Sequence, residues 1–138
     1  MRSDLAIAEN EPSILTNPWR FDFDPSGPKT NVGSFLNNRR EGPSNIYGMP
    51  VALGDRMYVA GGGDWFWGKN EASVRCIRTT GQGDVSASNT LWSYPLGRHT
   101  MSTPAIANGL VFCADSMRTL HCIDAVTGKG VWTHELDG

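Results

Sequence analysis

The sequence has little charge and no long apolar run. Only 19% of its 138 residues are charged, and the formal net charge is −2 with acidic and basic residues interspersed. This distribution lacks the basic patch that nucleic-acid binding requires. No run approaches the roughly 18 apolar residues of a membrane span, and residues 1–17 lack the apolar core of a signal peptide. We therefore expect no nucleic-acid partner and no membrane span.

Residues that commonly bind metals are few and poorly spaced. The sequence has three histidines: His99, His121 and His134. None lies four residues from another, and we expect His99, which falls in a connection between strands, to be the most exposed of them. The stretch that starts at Asp22 begins like a calcium-binding loop, but Pro25 interrupts it and Gly33 stands where a bidentate Glu is needed. The sequence therefore predicts no metal site.

Turn-forming residues, in contrast, are abundant. The 16 glycines and 8 prolines are typical of a turn-rich β protein. The clearest turn follows a short apolar run and contains Asp124, Thr127 and Gly128, because Asp can hydrogen-bond its own backbone and Gly tolerates positive φ. This pattern predicts a hairpin whose returning strand carries Trp132. A single hairpin cannot bury so large a side chain, so the unit needs a neighbour.

The same unit occurs twice in the chain. The aligned segments are 49–60 with 103–114, 74–77 with 120–123, and Trp92 with Trp132. The offset between the copies falls from 54 to 46 to 40 residues, so the first copy has insertions of about 8 and about 6 residues in two loops. An earlier stretch around Trp19 repeats the Trp-bearing last strand alone. A period of about 40 residues predicts a propeller or a solenoid.

Residues 120–132 resemble the repeat of the PQQ-like (pyrroloquinoline-quinone-type) β-propellers. Blades of that family end in Ala-x-Asp-x-x-Thr-Gly-x-x-x-Trp. The residues that match this pattern are Asp124, Thr127, Gly128 and Trp132, with Cys122 in the Ala position. The first copy departs from it, since Arg78 stands where Asp is expected, so its turn must be built differently. The resemblance implies an all-β fold, a partial β-propeller of about two four-stranded antiparallel blades plus part of a third.

The repeat boundaries divide the chain into four parts. We expect residues 1–17 to be poorly ordered, and residues 18–45 to hold the last strand of a preceding blade and a long connection. Residues 46–97 should form the first blade and residues 98–138 the second. The predicted strands lie near 46–52, 56–61, 73–78, 90–95, 100–107, 110–114, 119–124 and 130–136. Because propellers have about 4 to 8 blades, we expect a piece of a longer polypeptide whose missing blades are its partners.

One loop of the first blade is unusual in composition. It follows three glycines and carries Asp64, Trp65, Phe66, Trp67 and Lys69. Three large aromatic residues cannot all be buried in a simple hairpin turn. One interpretation is an aromatic platform that stacks on a sugar, a quinone or a peptide of another protein. The other is a loop that covers the apolar end of the blade, and the sequence leaves both open.

The resemblance does not by itself decide function, because the family contains quinoprotein dehydrogenases and also non-catalytic BamB-like propellers. We favour a non-catalytic scaffold or a ligand- or protein-binding module of an exported, periplasmic bacterial protein. The alternative is part of a quinone-dependent dehydrogenase whose active-site residues lie partly outside this chain. No adjacent cysteine pair and no metal-ligand set matches a quinoprotein. PQQ therefore follows from the resemblance alone, and no catalytic residue is assigned.

The three cysteines allow a further expectation. Cys76 and Cys122 occupy equivalent repeat positions, which favours a role in packing. If the hairpin of the second blade is centred between Met117 and Arg118, residues whose numbers sum to 235 stand opposite each other. Cys113 would then face Cys122 at a Cα separation of about 4.5–5.5 Å, close enough to cross-link under oxidation. Cys76 would remain a free thiol.

Overall fold

A computed structural model describes residues 18–35, 41–63 and 71–137 of the chain. The expectation of poor order in residues 1–17 lies outside the described residues. The strands are β1 (Trp19–Arg20), β2 (Val51–Leu53), β3 (Arg56–Gly62), β4 (Ala72–Arg78), β5 (Gly83–Asp84), β6 (Thr90–Leu96), β7 (Ala105–Ala107), β8 (Leu110–Ala114), β9 (Thr119–Asp124) and β10 (Gly130–Glu135). A short 3₁₀ helix spans Val32–Phe35. Within these ranges, no helix has the length and apolar character needed to cross a membrane.

Eight of the strands form two four-stranded antiparallel sheets. The strand order is β2-β3-β4-β6 in the first sheet, here called blade 1, and β7-β8-β9-β10 in the second, blade 2. The predicted all-β fold with two four-stranded antiparallel blades is confirmed. The first strand of each blade is shorter than predicted and begins at Val51 or Ala105. Each follows a proline, Pro50 or Pro104, which cannot donate a hydrogen bond to the neighbouring strand.

Local turn chemistry sets the hairpins of blade 2. Asn108 and Gly109, between β7 and β8, have φ angles of 50° and 77°, as a two-residue type I′ turn requires. The predicted turn around Asp124 joins β9 to β10. The Asp124 carboxylate accepts hydrogen bonds from the backbone N–H of Val126 at 3.0 Å and of Thr127 at 2.7 Å. Gly128 has a φ of 73° and donates to the Asp124 carbonyl.

The predicted register between β8 and β9 is wrong by one residue. Phe112 stands opposite Cys122, and Cys113 stands opposite His121. The loop has three residues rather than two, because Arg118 adopts a φ of 63° and the Asp115 N–H bonds to the Thr119 carbonyl. A shift of one residue turns a side chain to the other face of the sheet.

The predicted cysteine pair is therefore also wrong. Cys113 faces blade 1, whereas Cys122 lies on the opposite face of blade 2, beside Phe112 and Trp132. All three cysteines are buried and unbridged. Burial raises the pKa of the Cys76, Cys113 and Cys122 thiols.

The main hydrophobic core lies between the two blades. Its buried members are Tyr58, Ala60, Ala72, Val74, Cys76, Trp92 and Leu96 of blade 1, and Val111, Cys113, Ile123 and Ala125 of blade 2. Trp92 is the largest of them. A buried Trp removes about 150–250 Å² from water, which contributes roughly 4–6 kcal/mol as an upper bound. The blades are thus held together mainly by apolar burial.

A third structural unit covers the other face of blade 1. Strand β1 pairs in parallel with β5, which lies in the insertion between β4 and β6. The Asp22 N–H donates to Ser86 Oγ at 2.7 Å, and Phe23 is buried with its ring 4.3 Å from the Arg75 guanidinium. The assignment of residues 18–45 to the edge of a preceding blade stays a prediction.

Candidate functional site at the junction of the blades

A single backbone carbonyl in the repeat turn of blade 2 receives three side chains of blade 1. The Ala125 carbonyl accepts from Tyr58 Oη, from Trp92 Nε1 and from Arg56 Nη1, each at 3.2 Å. Gly128, in the same turn, packs so closely on the indole that an added Cβ would lie 2.5 Å from Trp92 Cγ. The turn is therefore a docking element as well as a chain reversal.

A second polar contact between the blades is a chain of three side chains. His121 lies on β9 and is buried, with Nε2 at 3.0 Å from Asp115 Oδ2 and Nδ1 at 3.2 Å from Tyr94 Oη. Tyr94 lies on β6 of blade 1, and its ring meets the imidazole edge to face at 5.6 Å. This Asp115–His121–Tyr94 chain connects the β8–β9 loop of blade 2 to the outermost strand of blade 1.

The donors around Asp115 determine the protonation of this chain. The side chain of Asp115 is 1% exposed. It accepts backbone N–H groups of Gly97, Met117 and Thr119 at 3.1, 2.9 and 3.2 Å. Burial would raise the pKa of the Asp115 carboxyl, but the bonds from His121 and from these backbone groups of Thr119 and Met117 outweigh it and lower the pKa.

The three side chains link the two blades through hydrogen bonds whose directions follow from their chemistry. Ionised Asp115 only accepts, so His121 donates through Nε2, and in its neutral form it accepts the Tyr94 hydroxyl at Nδ1. Burial and the charge of Asp115 raise the pKa of Tyr94. A phenol that stays protonated is a hydrogen-bond donor and a poor nucleophile at neutral pH.

Sequence reasoning did not find this chain of side chains. His121 and Asp115 are six residues apart and Tyr94 is a further 21 residues away on the other blade, so no local spacing indicates their contact. The one signal was the repeat alignment, which places Tyr94 two residues after the inter-blade Trp92. The expectation that His99 is the most exposed histidine is wrong. His99 is 5% exposed and binds Ser116 through Nδ1 at 3.1 Å and through its carbonyl at 3.0 Å.

The residues selected from the sequence fall into three groups. Asp64, Trp65, Phe66, Trp67 and Lys69 of the aromatic loop lie outside the described residues. Asp124, Thr127 and Gly128 form the repeat turn, and Trp92 packs against it. Trp19 lies in β1, and Trp132 is exposed on β10 with its ring 6.0 Å from that of Phe112.

The stretch that begins like a calcium loop holds a lysine. Lys29 Nζ lies 2.8 Å from Asp22 Oδ1 and 2.6 Å from the Asp24 carbonyl, so an ammonium group occupies the position between these oxygens. Across residues 18–35, 41–63 and 71–137, no three His, Cys, Asp or Glu side chains come together in a way that could hold a metal ion.

Known proteins to which the chain is similar include one relative in sequence and two solved structures. It is 30% identical over 107 residues to the tetrathionate hydrolase of Acidithiobacillus ferrooxidans, an alignment that covers 69% of this chain and 21% of that protein. Its structure resembles BamB from Moraxella catarrhalis with a TM-score of 0.52 and 13% identity, over 69% of this chain and 24% of BamB. It resembles a europium-containing methanol dehydrogenase with a TM-score of 0.47 and 20% identity, over 67% and 17% of the two chains. No protein-family profile matches the chain.

These similarities concern the fold. The chain spans about a fifth to a quarter of the length of the tetrathionate hydrolase and of BamB. At 13% identity, the similarity to BamB shows that the two chains share an architecture, and it does not show that they share an activity. Two four-stranded antiparallel sheets, packed through a repeat turn and a Trp, agree with that architecture. The described residues therefore have the fold of consecutive β-propeller blades.

Proposed function

We propose that these blades are a non-catalytic scaffold within a larger propeller and that they present binding loops at their ends. The observation that carries the proposal is the use of polar groups at the junction. The Ala125 carbonyl binds three side chains of the other blade, and His121 has both ring nitrogens engaged. Groups that could do chemistry are thus committed to holding the blades together.

The binding part of the proposal concerns the aromatic loop. Trp65, Phe66 and Trp67 offer aromatic faces, while Asp64 and Lys69 add one charge of each sign. Such a composition suits a sugar, a quinone or a peptide of another protein. Replacing Trp65 and Trp67 with Ala should abolish ligand capture without changing the unfolding midpoint of the blades.

The decisive experiment separates stability from activity at the junction. Tyr94→Phe and His121→Gln should lower the free energy of unfolding, and any ligand binding should survive in proportion to the folded fraction. Tyr58→Phe, which removes one donor from Ala125, is the matched control because it lies at the same junction outside the three-residue chain. Suppose that Tyr94→Phe or His121→Gln stays folded but loses an enzymatic activity that Tyr58→Phe retains. That result would show that the Asp115–His121–Tyr94 chain is an active site.

A second candidate function is hydrolysis of a polythionate. It is favoured by the 30% identity to a tetrathionate hydrolase, and no residue of this chain is assigned to the reaction. Release of thiosulfate from tetrathionate by the chain, or by the whole protein that contains it, would support this function. Absence of release from the whole protein would remove it.

A third candidate function, implied by the sequence resemblance, is a quinone-dependent dehydrogenase. Adding the quinone with calcium should then change its absorbance or raise the melting temperature of the protein. Export to the periplasm belongs to the same proposal, and locating the whole protein in fractionated cells would test it.

A further inference from the structure

A polar cleft lies on the face of blade 1 that is turned away from blade 2. It has a volume of about 490 Å³ and lies between the segment that contains Phe23 and the surface of β4 and β6. Arg75 of β4 and Ser93 of β6 stand directly opposite each other in the sheet, so both side chains point to this face. Ser73, two residues before Arg75, shares it.

The guanidinium of Arg75 is held in a fixed position in this cleft. Its Nη1 donates to the Phe23 carbonyl at 2.6 Å, and its Nε lies 3.4 Å from Ser73 Oγ. The Phe23 ring lies under the guanidinium at 4.3 Å from Cζ. A planar cation backed by an aromatic ring and tied at one edge is preorganised to bind a ligand with its remaining donors.

In the described part of the chain, no carboxylate forms a direct salt bridge with Arg75, although the charge of Asp24 acts on it through space and opposes the effect of burial on its pKa. The salt bridges there between lysine or arginine and a carboxylate join Arg20 to Asp84 and Lys29 to Asp22. No described protein group accepts from Nη2 of Arg75. Burial lowers the pKa of Arg75, which reflects the cost of holding this charge away from water. A bound oxoanion would offset that cost with charge-assisted hydrogen bonds.

Two carboxylates in the lining limit the charge of the ligand. Asp24 accepts from Ser26 Oγ and from Ser44 Oγ, each at 2.8 Å, so both of its oxygens are turned to hydroxyl groups. Glu71 lies at the exposed rim. With Arg75, Asp24 and Glu71 the lining has no net positive charge, so any anion must be held by direct hydrogen bonds from Arg75. A ligand with two negative charges is repelled by the carboxylates more strongly than one with a single charge.

We propose that this cleft binds the singly charged oxoanionic group of a small molecule, a sulfonate or a carboxylate. Nη2 of Arg75 donates to the anion, and the hydroxyls of Ser73 and Ser93 complete the contact. Because the cleft is on the opposite face of blade 1 from the Asp115–His121–Tyr94 chain, this proposal does not depend on the scaffold function or on polythionate hydrolysis.

The test is a titration of the full chain, labelled with ¹⁵N, at constant ionic strength. Methanesulfonate and acetate represent the two anion classes, and glucose represents a neutral polyol. Either anion should shift the amide signals of Ser73, Arg75 and Ser93 saturably. Arg75→Gln should weaken the binding at least about tenfold, whereas Arg78→Gln, on the exposed end of the same strand, should leave it unchanged.

Ser93→Ala keeps the test valid if Arg75→Gln fails to fold, because Ser93 is exposed. This variant should bind about two- to fivefold more weakly. Equal binding by wild type and Arg75→Gln would overturn the proposal, and so would equal loss in Arg78→Gln. Shifts that never saturate with either anion, or saturable binding of glucose in preference to both, would overturn it as well.

Discussion

Trp92 and Trp132 occupy the same position in two copies of one repeat, yet their surroundings differ. Trp92 is 8% exposed and lies between the blades, whereas Trp132 is 44% exposed on the outer face of blade 2. Each lies in the last strand of its blade, opposite an equivalent cysteine, Cys76 or Cys122. The difference shows that a blade does not bury its own Trp. The turn of the next blade does so, through Gly128 and the Ala125 carbonyl.

The largest expected effect is the loss of the buried indole. Trp92→Ala should lower the free energy of unfolding by about 3–5 kcal/mol, because it removes apolar burial and leaves a cavity between the blades. Urea denaturation monitored by circular dichroism measures this change. A cost below about 1 kcal/mol would mean that Trp92 does not contribute to the junction in solution.

A smaller effect is expected for the buried carboxylate of Asp115. Asp115→Asn should cost about 1.5–3 kcal/mol at neutral pH, because the amide NH₂ would face the donors of Gly97 and His121. The folded pKa of Asp115 lies below its ordinary value of 3.8, so its contribution is present above that value and is lost as the pH falls through the folded pKa. Urea titrations at neutral and acid pH should show that Asp115→Asn loses part of the wild-type acid sensitivity. An unchanged pH profile would contradict the contact.

The close approach of the repeat turn to Trp92 can be tested with a pair of glycines. Gly128 and Gly109 both have positive φ, of 73° and 77°. A Cβ added at Gly128 would overlap the Trp92 indole, whereas a Cβ added at Gly109 would have no atom within 4 Å. Gly109→Ala should cost about 1–2 kcal/mol for the left-handed conformation alone. Gly128→Ala should cost about 1–3 kcal/mol more, because its methyl group would overlap the indole. Equal costs in chemical denaturation would show that the turn does not press on Trp92.

The smallest effect is expected at the exposed member of the comparison. Trp132→Ala should change the free energy of unfolding of this chain by about 1 kcal/mol or less, since the ring is about half exposed and contacts Phe112. The measurement is the same denaturation series as for Trp92→Ala. A cost similar to that of Trp92→Ala would mean that another surface covers Trp132 in solution, such as a further blade or a second copy.

Much of the architecture followed from the sequence because it depends on local chemistry. The repeat alignment gave the strands of both blades, and the Asp124 turn formed as its Asp, Thr and Gly predict. The unusual turn of the first copy was also expected. There the Asn89 amide bonds the Arg78 and Thr80 carbonyls at 3.0 and 2.6 Å, in place of the missing Asp.

The errors came from details that a repeat pattern does not contain. The register of β8 and β9 depended on whether the loop had two or three residues, and Arg118 adopts positive φ without being a glycine. The resulting one-residue shift in register places Cys113 and Cys122 on opposite faces of blade 2. The burial of His99 likewise depends on a contact between distant segments. The β8–β9 loop folds over the connection between the blades, and its Ser116 hydroxyl hydrogen-bonds the His99 ring.

The sequence alone determined that the chain forms β blades and which tryptophans mark them, because strand alternation, turn residues and repeat spacing act over short distances along the chain. Only the tertiary structure decided which Trp is buried, that His121 joins Asp115 to Tyr94, and that Phe23 supports Arg75. These contacts join residues from different blades or from a distant segment. Their geometry depends on how whole sheets pack, and no spacing within the sequence records that packing.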